Sequence, residues 1–177
     1  WLAAAITCGG IIAPILLMTG FSLTPASTAS LLINLEVAFT AIIAWFVLHE
    51  NYSPRTATGM ACILGGGLCV SWTGRPEAGG LAGPLCVAAA CLGWALDNNL
   101  TRRISGGDPL QITGIKGLVA GTVNTSAALL LGAHMPGAAD TALAAVVGMI
   151  SYGMSLLLFV LALRHIGAAR SAAYFGL

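Results

Sequence analysis

The stretch Trp94-Ala-Leu-Asp-Asn-Asn-Leu-Thr-Arg-Arg-Ile-Ser-Gly-Gly-Asp-Pro-Leu-Gln-Ile-Thr-Gly-Ile-Lys-Gly-Leu-Val-Ala-Gly-Thr-Val-Asn124 joins two hydrophobic segments through a short basic turn. The flanking segments, Leu81 to Leu100 and Pro109 to Leu131, each have the length of about 20 helical residues that a hydrocarbon core of roughly 30 Å requires. The stretch therefore reads as a membrane hairpin with Asp97 and Lys116 inside its two spans. Each charge alone costs about 2.5–3.5 kcal/mol at a helix centre, so both are expected to face protein or a water-filled cavity. Measured outward from Ser105 in the turn, they lie at similar depths on antiparallel neighbours, which predicts a direct or water-bridged ion pair.

The rest of the chain agrees with that reading. Of 177 residues, 58% are hydrophobic and only 7% charged, too little charge to cover the surface of a soluble domain. A net charge of +1 without a basic, aromatic-interleaved patch gives nucleic-acid binding no support. Cys8, Cys62, Cys69, Cys86 and Cys91 all sit in apolar stretches and read as small buried hydrophobes, with no metal-ligand spacing and no disulfide framework. The chain begins at Trp1 without a Met and stops at Leu177 inside an apolar run, so it reads as a fragment cut at both ends.

In chain order, residues 1–19 form a first expected span, kinked at Pro14, with neighbours re-satisfying the carbonyl that Pro14 frees. A turn over Gly20 to Ser27 leads to a second span, Thr28 to Leu48, with Glu36 near its middle as a candidate cavity residue. Ser53-Pro54 caps a third span, Thr56 to Trp72, in which Gly59 and Gly65-Gly66-Gly67 are expected to let another helix approach closely. A linker over 73–80, with Arg75, Pro76 and Glu77, precedes the hairpin. On its second arm Lys116 shares an arc with Thr113, Ala120 and Asn124, beside a Gly117-x-x-x-Gly121 pattern, a small polar face suited to lining a cavity. Thr141 to Leu163 is a sixth span, containing Ser151, Tyr152 and Ser155, and Ser171 begins a seventh.

Alternate loops fall on opposite sides of the membrane. Arg55, Arg102, Arg103, Arg164 and Arg170 then share one side, against Arg75 on the other, which places the loops at 49–55, 101–108 and 164–170 in the cytoplasm. Pro25-Ala26-Ser27-Thr28-Ala29-Ser30-Leu31-Leu32 resembles Gly167-Ala168-Ala169-Arg170-Ser171-Ala172-Ala173-Tyr174 in layout. A repeat with an odd number of helices is inverted in the membrane, and such repeats place solute sites near the midplane at their interface.

These segments, with Leu35-Glu36, His49-Glu50-Asn51-Tyr52-Ser53, Trp94 to Arg103, Ile115-Lys116-Gly117-Leu118 and Ile166 to Arg170, resemble in order and spacing the EamA-type members of the drug/metabolite transporter superfamily. The resemblance covers essentially the whole chain. It implies an all-α polytopic bundle that is part of a ten-helix fold of two inverted five-helix repeats. Residues 1–72 would be the C-terminal three helices of the first repeat and 73–80 the inter-repeat loop. Residues 81–177 would be the first three helices, and the start of the fourth, of the second repeat. The family often carries Leu-Glu-Pro where this chain has Leu35-Glu36-Val37, a departure that removes the Pro kink beside the glutamate.

The function implied is secondary transport of small organic solutes across the cell (inner or plasma) membrane, without a bound cofactor or metal. Coupling to protons or another ion and a homodimeric assembly are compatible with it. Glu36, Trp94, Asp97, Asn98, Lys116 and Asn124 are the candidate substrate-binding or cavity residues. Two alternatives come from other classes. An intramembrane enzyme would need a nucleophile with its base, or clustered ligands, at membrane depth, whereas His49, His134 and His165 all lie in loops. A non-transporting scaffold subunit is the other.

Overall fold

The computed structural model describes residues 1–51, 53–71 and 80–175. Arg75, Pro76 and Glu77 of the expected inter-repeat loop, and Trp72 at the end of the third expected span, lie outside the described residues. The described chain is helical, with no strand: α1 (Leu2–Leu23), α2 (Ala26–Val47), α3 (Pro54–Ser71), α4 (Ala82–Ile104), α5 (Pro109–Leu130), α6 (Ala138–Ile166) and α7 (Ala168–Phe175). Three of these, α1, α2 and α6, are long and apolar enough to cross a membrane. At 23 and 22 residues α4 and α5 match them in length, but their polar residues make them less apolar, and α4 buries its polar set among the other helices.

Several boundaries differ from the sequence expectation. Nothing in Gly20-Phe21-Ser22-Leu23 stops a helix, so α1 runs to Leu23 instead of ending at residue 19. The break comes at Thr24, which is extended (φ −132°, ψ 135°) because the ring of Pro25 excludes the helical region for the residue before it. Similarly, α6 starts at Ala138 rather than at Thr141. The start of α3 is as expected, with the Ser53 hydroxyl accepting from the Thr56 N–H at 3.5 Å.

The centre of the bundle is α4. Its Val87, Ala90 and Cys91 pack with Ala13 and Leu17 of α1. The two helices touch backbone to backbone: a Cβ at Gly83 would stand 2.7 Å from the Leu23 carbonyl oxygen, and one at Gly20 3.0 Å from the Val87 nitrogen. Small residues let helices close together where burial from water offers little driving force between them. The glycines that do this work are therefore in α1 and α4. Gly59, Gly65 and Gly66, expected to receive a neighbouring helix, have nothing within 4 Å of a built Cβ among the described residues, and neither have Gly117 and Gly121. A second core joins Val37, Ala41 and Ala44 of α2 with Met60 of α3, Leu163 of α6 and Ala168 of α7.

The turns after α2, α4 and α6 meet at one end of the bundle. Arg164 donates from Nε to the Ser105 carbonyl and from Nη2 to the Gly107 carbonyl, tying α6 to the α4–α5 turn. Arg103 stacks 4.9 Å over the Trp1 ring. His49 adopts a left-handed backbone (φ 54°) that turns the chain after α2. Beyond it, the Glu50 carboxylate accepts from the first N–H groups of α7, Ala168 at 2.9 Å and Ala169 at 3.3 Å, and lies 3.5 Å from Arg102 Nε. An anion is favoured at a helix N-terminus by the unpaired N–H groups there. Gly167 (φ 83°) makes room for it, since a Cβ there would stand 2.8 Å from Glu50 Oε2.

Candidate functional site

Two local irregularities in apolar helices set up the polar interior. The first is in α1, where Ile6–Ile12 is wound as a π-helix and the Ala13 N–H donates to the Cys8 carbonyl. In that register the next acceptor, the Gly9 carbonyl, faces Pro14, which has no N–H; in the α register the Gly10 carbonyl would face the same residue. Both carbonyls are taken by side chains from other helices. Trp94 Nε1 of α4 donates to Gly9 O at 3.1 Å, and Asn124 Nδ2 of α5 donates to Gly10 O at 2.8 Å.

The second irregularity is at Asn34, where α2 is interrupted one turn before the middle of the span. The Asn34 side chain donates back to the Ser30 and Leu31 carbonyls at 3.2 and 3.3 Å, competing with the helix's own bonds. The Leu32 and Ile33 carbonyls lie 3.4 and 3.6 Å from the Cys91 thiol of α4, which donates to them. A break beside Glu36 thus exists without the proline that Val37 replaces, and it comes two residues before the glutamate rather than after it.

Between these irregularities α4 carries three consecutive polar residues. Asn98 donates through Nδ2 to Glu36 Oε1 at 3.0 Å and to Thr40 Oγ1 at 3.2 Å. Asn99 donates to the Thr40 carbonyl at 3.1 Å and the Ala95 carbonyl at 2.8 Å. Asp97 points toward α5: its Oδ1 receives Lys116 Nζ at 2.6 Å and the Thr101 hydroxyl at 2.9 Å, and Lys116 also donates to Thr101 Oγ1 at 2.9 Å. The pair is buried, with Asp97 8% and Lys116 6% exposed, and of the direct or water-bridged ion pair expected from the hairpin the direct form is present. Asp97 fits only because residue 9 is glycine, since a Cβ there would stand 2.2 Å from Oδ2 and 2.4 Å from the aspartate's own Cβ.

A cavity of about 310 Å³ opens between α2, α4, α6 and α7, with Glu36, Trp94, Asp97 and Asn98 on one side and Tyr152, Ser155 and Phe159 among the residues opposite. Four of the six candidate residues therefore share one space. The remaining two do not line it. Lys116 lies behind Asp97, and Asn124 faces α1, where Ala120 beside it would meet a Cβ at Gly10 at 2.8 Å. The small polar arc of α5, expected to line a cavity, is instead a helix interface. Tyr152, Ser155, Leu156 and Phe159 were legible as one helical face at i, i+3, i+4 and i+7, but the sequence does not say which face of α6 turns inward. A larger polar recess of about 430 Å³ lies at the end of the bundle, around His49, Glu50, Arg102, His165 and Arg170.

Residues 1–72 match the EamA-like transporter family. Over 175 residues the chain is 31% identical to an uncharacterized transporter of Methanothermobacter thermautotrophicus, an alignment that takes in 94% of this chain and 50% of that protein. It is also 33% identical over 52 residues to purine permease 2 of Arabidopsis thaliana, covering 29% of this chain and 14% of that protein. The chain thus spans half the length of the first of these relatives and less of the second. No solved structure matches it.

Proposed function

Because the chain belongs to the EamA-like transporter family, we propose that it works as a secondary transporter of small organic solutes, with the cavity between α2, α4 and α6 as its solute site. It is a multi-pass membrane protein. The observation that carries the solute reading is the meeting of Glu36, Asp97 and Asn98 at one cavity inside helices that otherwise expose many large apolar side chains. Polar groups at that depth are costly and mark a solute or ion pathway. In this reading residues 1–72 end one inverted repeat, 73–80 link it to the next, and 81–177 begin the second. Glu50, on the first side of that boundary, holds the start of α7 on the second side. The loops at 49–55, 101–108 and 164–170 face the cytoplasm, because they carry the arginines. Membership of a transporter family favours this reading over an intramembrane enzyme or a scaffold. The experiment is solute flux by the whole protein in vesicles, measured against a chemically varied panel. Wild type is expected to move at least one solute and Glu36→Gln to move it poorly while inserting normally; no flux across the panel would overturn the reading.

A further inference from the structure

We propose that the cavity selects compact organic cations, recognised by Glu36 at one wall and by aromatic faces at the other; this rests on the solute-transport reading above. Two carboxylates border the cavity. Asp97 is committed to Lys116 at 2.6 Å and so adds no net charge. Glu36 has no ion-pair partner among the described residues, and its hydrogen-bond donor is the neutral Asn98 amide. The lining therefore carries one carboxyl without an ion-pair partner among the described residues, set among apolar and aromatic side chains, and a cation is the complement that stabilises its ionised form.

The donors point the same way. An anion would need charged or N–H donors aimed into the space, and those nearest are already used; the Tyr152 and Ser155 hydroxyls can donate to a neutral acceptor but carry no charge to offset an anion. Both Asn98 Nδ2 hydrogens go to Glu36 and Thr40, the Trp94 indole N–H goes to Gly9, and Lys116 goes to Asp97 and Thr101. Trp94 is thereby left presenting carbon and π surface. Opposite, Tyr152 and Phe159 supply more of it, and Phe159 is held by a tilted contact with Phe175, centroids 5.2 Å apart. Aromatic faces attract a cation through their quadrupole and repel an anion. At about 310 Å³ the space is at the lower end of small-molecule pockets, which run from about 300 to 1,000 Å³, so a one-ring or short-chain solute fits better than a drug-sized one.

The test is isothermal titration of the whole protein, purified in detergent, with benzyltrimethylammonium, benzyl alcohol and benzoate, run beside the vesicle flux panel. These share a benzyl or phenyl body and differ in charge, and the ammonium keeps its charge at every pH. Benzyltrimethylammonium is expected to bind at least about ten-fold more tightly than the other two, and to lose about ten-fold or more in Glu36→Gln. The comparison among ligands on the unmodified protein stands even if that variant folds poorly. Equal or tighter binding of benzoate or benzyl alcohol overturns the cation assignment. So does flux of non-cationic solutes without binding of the ammonium, and in both cases the transport reading survives. Absence of binding by all three together with absence of flux overturns both.

Discussion

Asn124 on α5 donates to the Gly10 carbonyl, the acceptor that an N–H at position 14 would reach in the α register, and that role can be measured. The perturbation is Asn124→Leu, which keeps the branched outline of the side chain and removes the 2.8 Å donor to the Gly10 carbonyl. An unsatisfied partly buried carbonyl costs about 1–3 kcal/mol in a water-soluble reference, whereas interhelical hydrogen bonds in membranes average about 0.6 and reach about 1.7 kcal/mol. A loss of about 1 kcal/mol is therefore expected. In a Pro14→Ala background the alanine N–H can close the α register onto Gly10, so the same Asn124→Leu change should then cost almost nothing. The coupling between the two substitutions, about 1 kcal/mol, is the quantity sought, since it cancels the separate effect of Pro14→Ala on helix stability. The assay is reversible unfolding of the whole protein in mixed micelles, comparing wild type, the two single variants and the double. Additivity within about 0.3–0.5 kcal/mol would refute the reasoning, because it would mean that the Asn124 amide and the missing Pro14 hydrogen do not serve the same carbonyl.

Gly9→Ala should abolish folded yield, because the new Cβ would stand 2.2 Å from Asp97 Oδ2 and 2.4 Å from its Cβ; normal yield in size-exclusion chromatography would show that α1 and α4 are not so close. Asp97→Asn and Lys116→Met should each cost about 3–5 kcal/mol, and the double variant less than their sum, as expected for a buried pair whose survivor is left uncompensated. Strictly additive losses of stability would show that the two do not interact. Cysteine labelling at positions near Arg103, in a Cys-free background, should occur from the cytoplasmic side only. Labelling from outside intact cells would reverse the topology.

The hairpin was the most legible part of the chain because its signal is energetic. Two opposite charges at equal depth in antiparallel helices have few options besides each other, and Asp97 and Lys116 meet directly. Glycine patterns were less legible. A run such as Gly65-Gly66-Gly67 permits close packing but does not require it, and the positions where backbones do touch, Gly20 and Gly83, are isolated glycines with no pattern around them. The break in α2 was out of reach for a similar reason. Asn34 competes with helical hydrogen bonds only if its amide turns back onto Ser30 and Leu31, and the next two carbonyls then meet the Cys91 thiol of another helix, a tertiary contact that the local sequence does not carry. As sequence, Trp94 and Asn124 read only as aromatic and polar residues in spans, yet each first answers a need created around Pro14, eighty residues away for Trp94 and more than a hundred for Asn124.

Glu50, Asp97 and Glu36 differ in what holds them. Glu50 accepts two backbone N–H groups at the start of α7 and lies beside Arg102, at the wet end where a charge is inexpensive. Asp97 is enclosed with an ammonium and a hydroxyl, so changing its partner would leave Lys116 buried alone. Neither can exchange a partner without loss. Glu36 differs because Asn98 holds it with one neutral hydrogen bond, and Asn98 keeps a second acceptor in Thr40 whether or not Glu36 stays in place. A carboxylate that can change its partner cheaply, at a cavity wall and beside a break in its own helix, meets the physical requirement for a group that binds a solute and then lets it go.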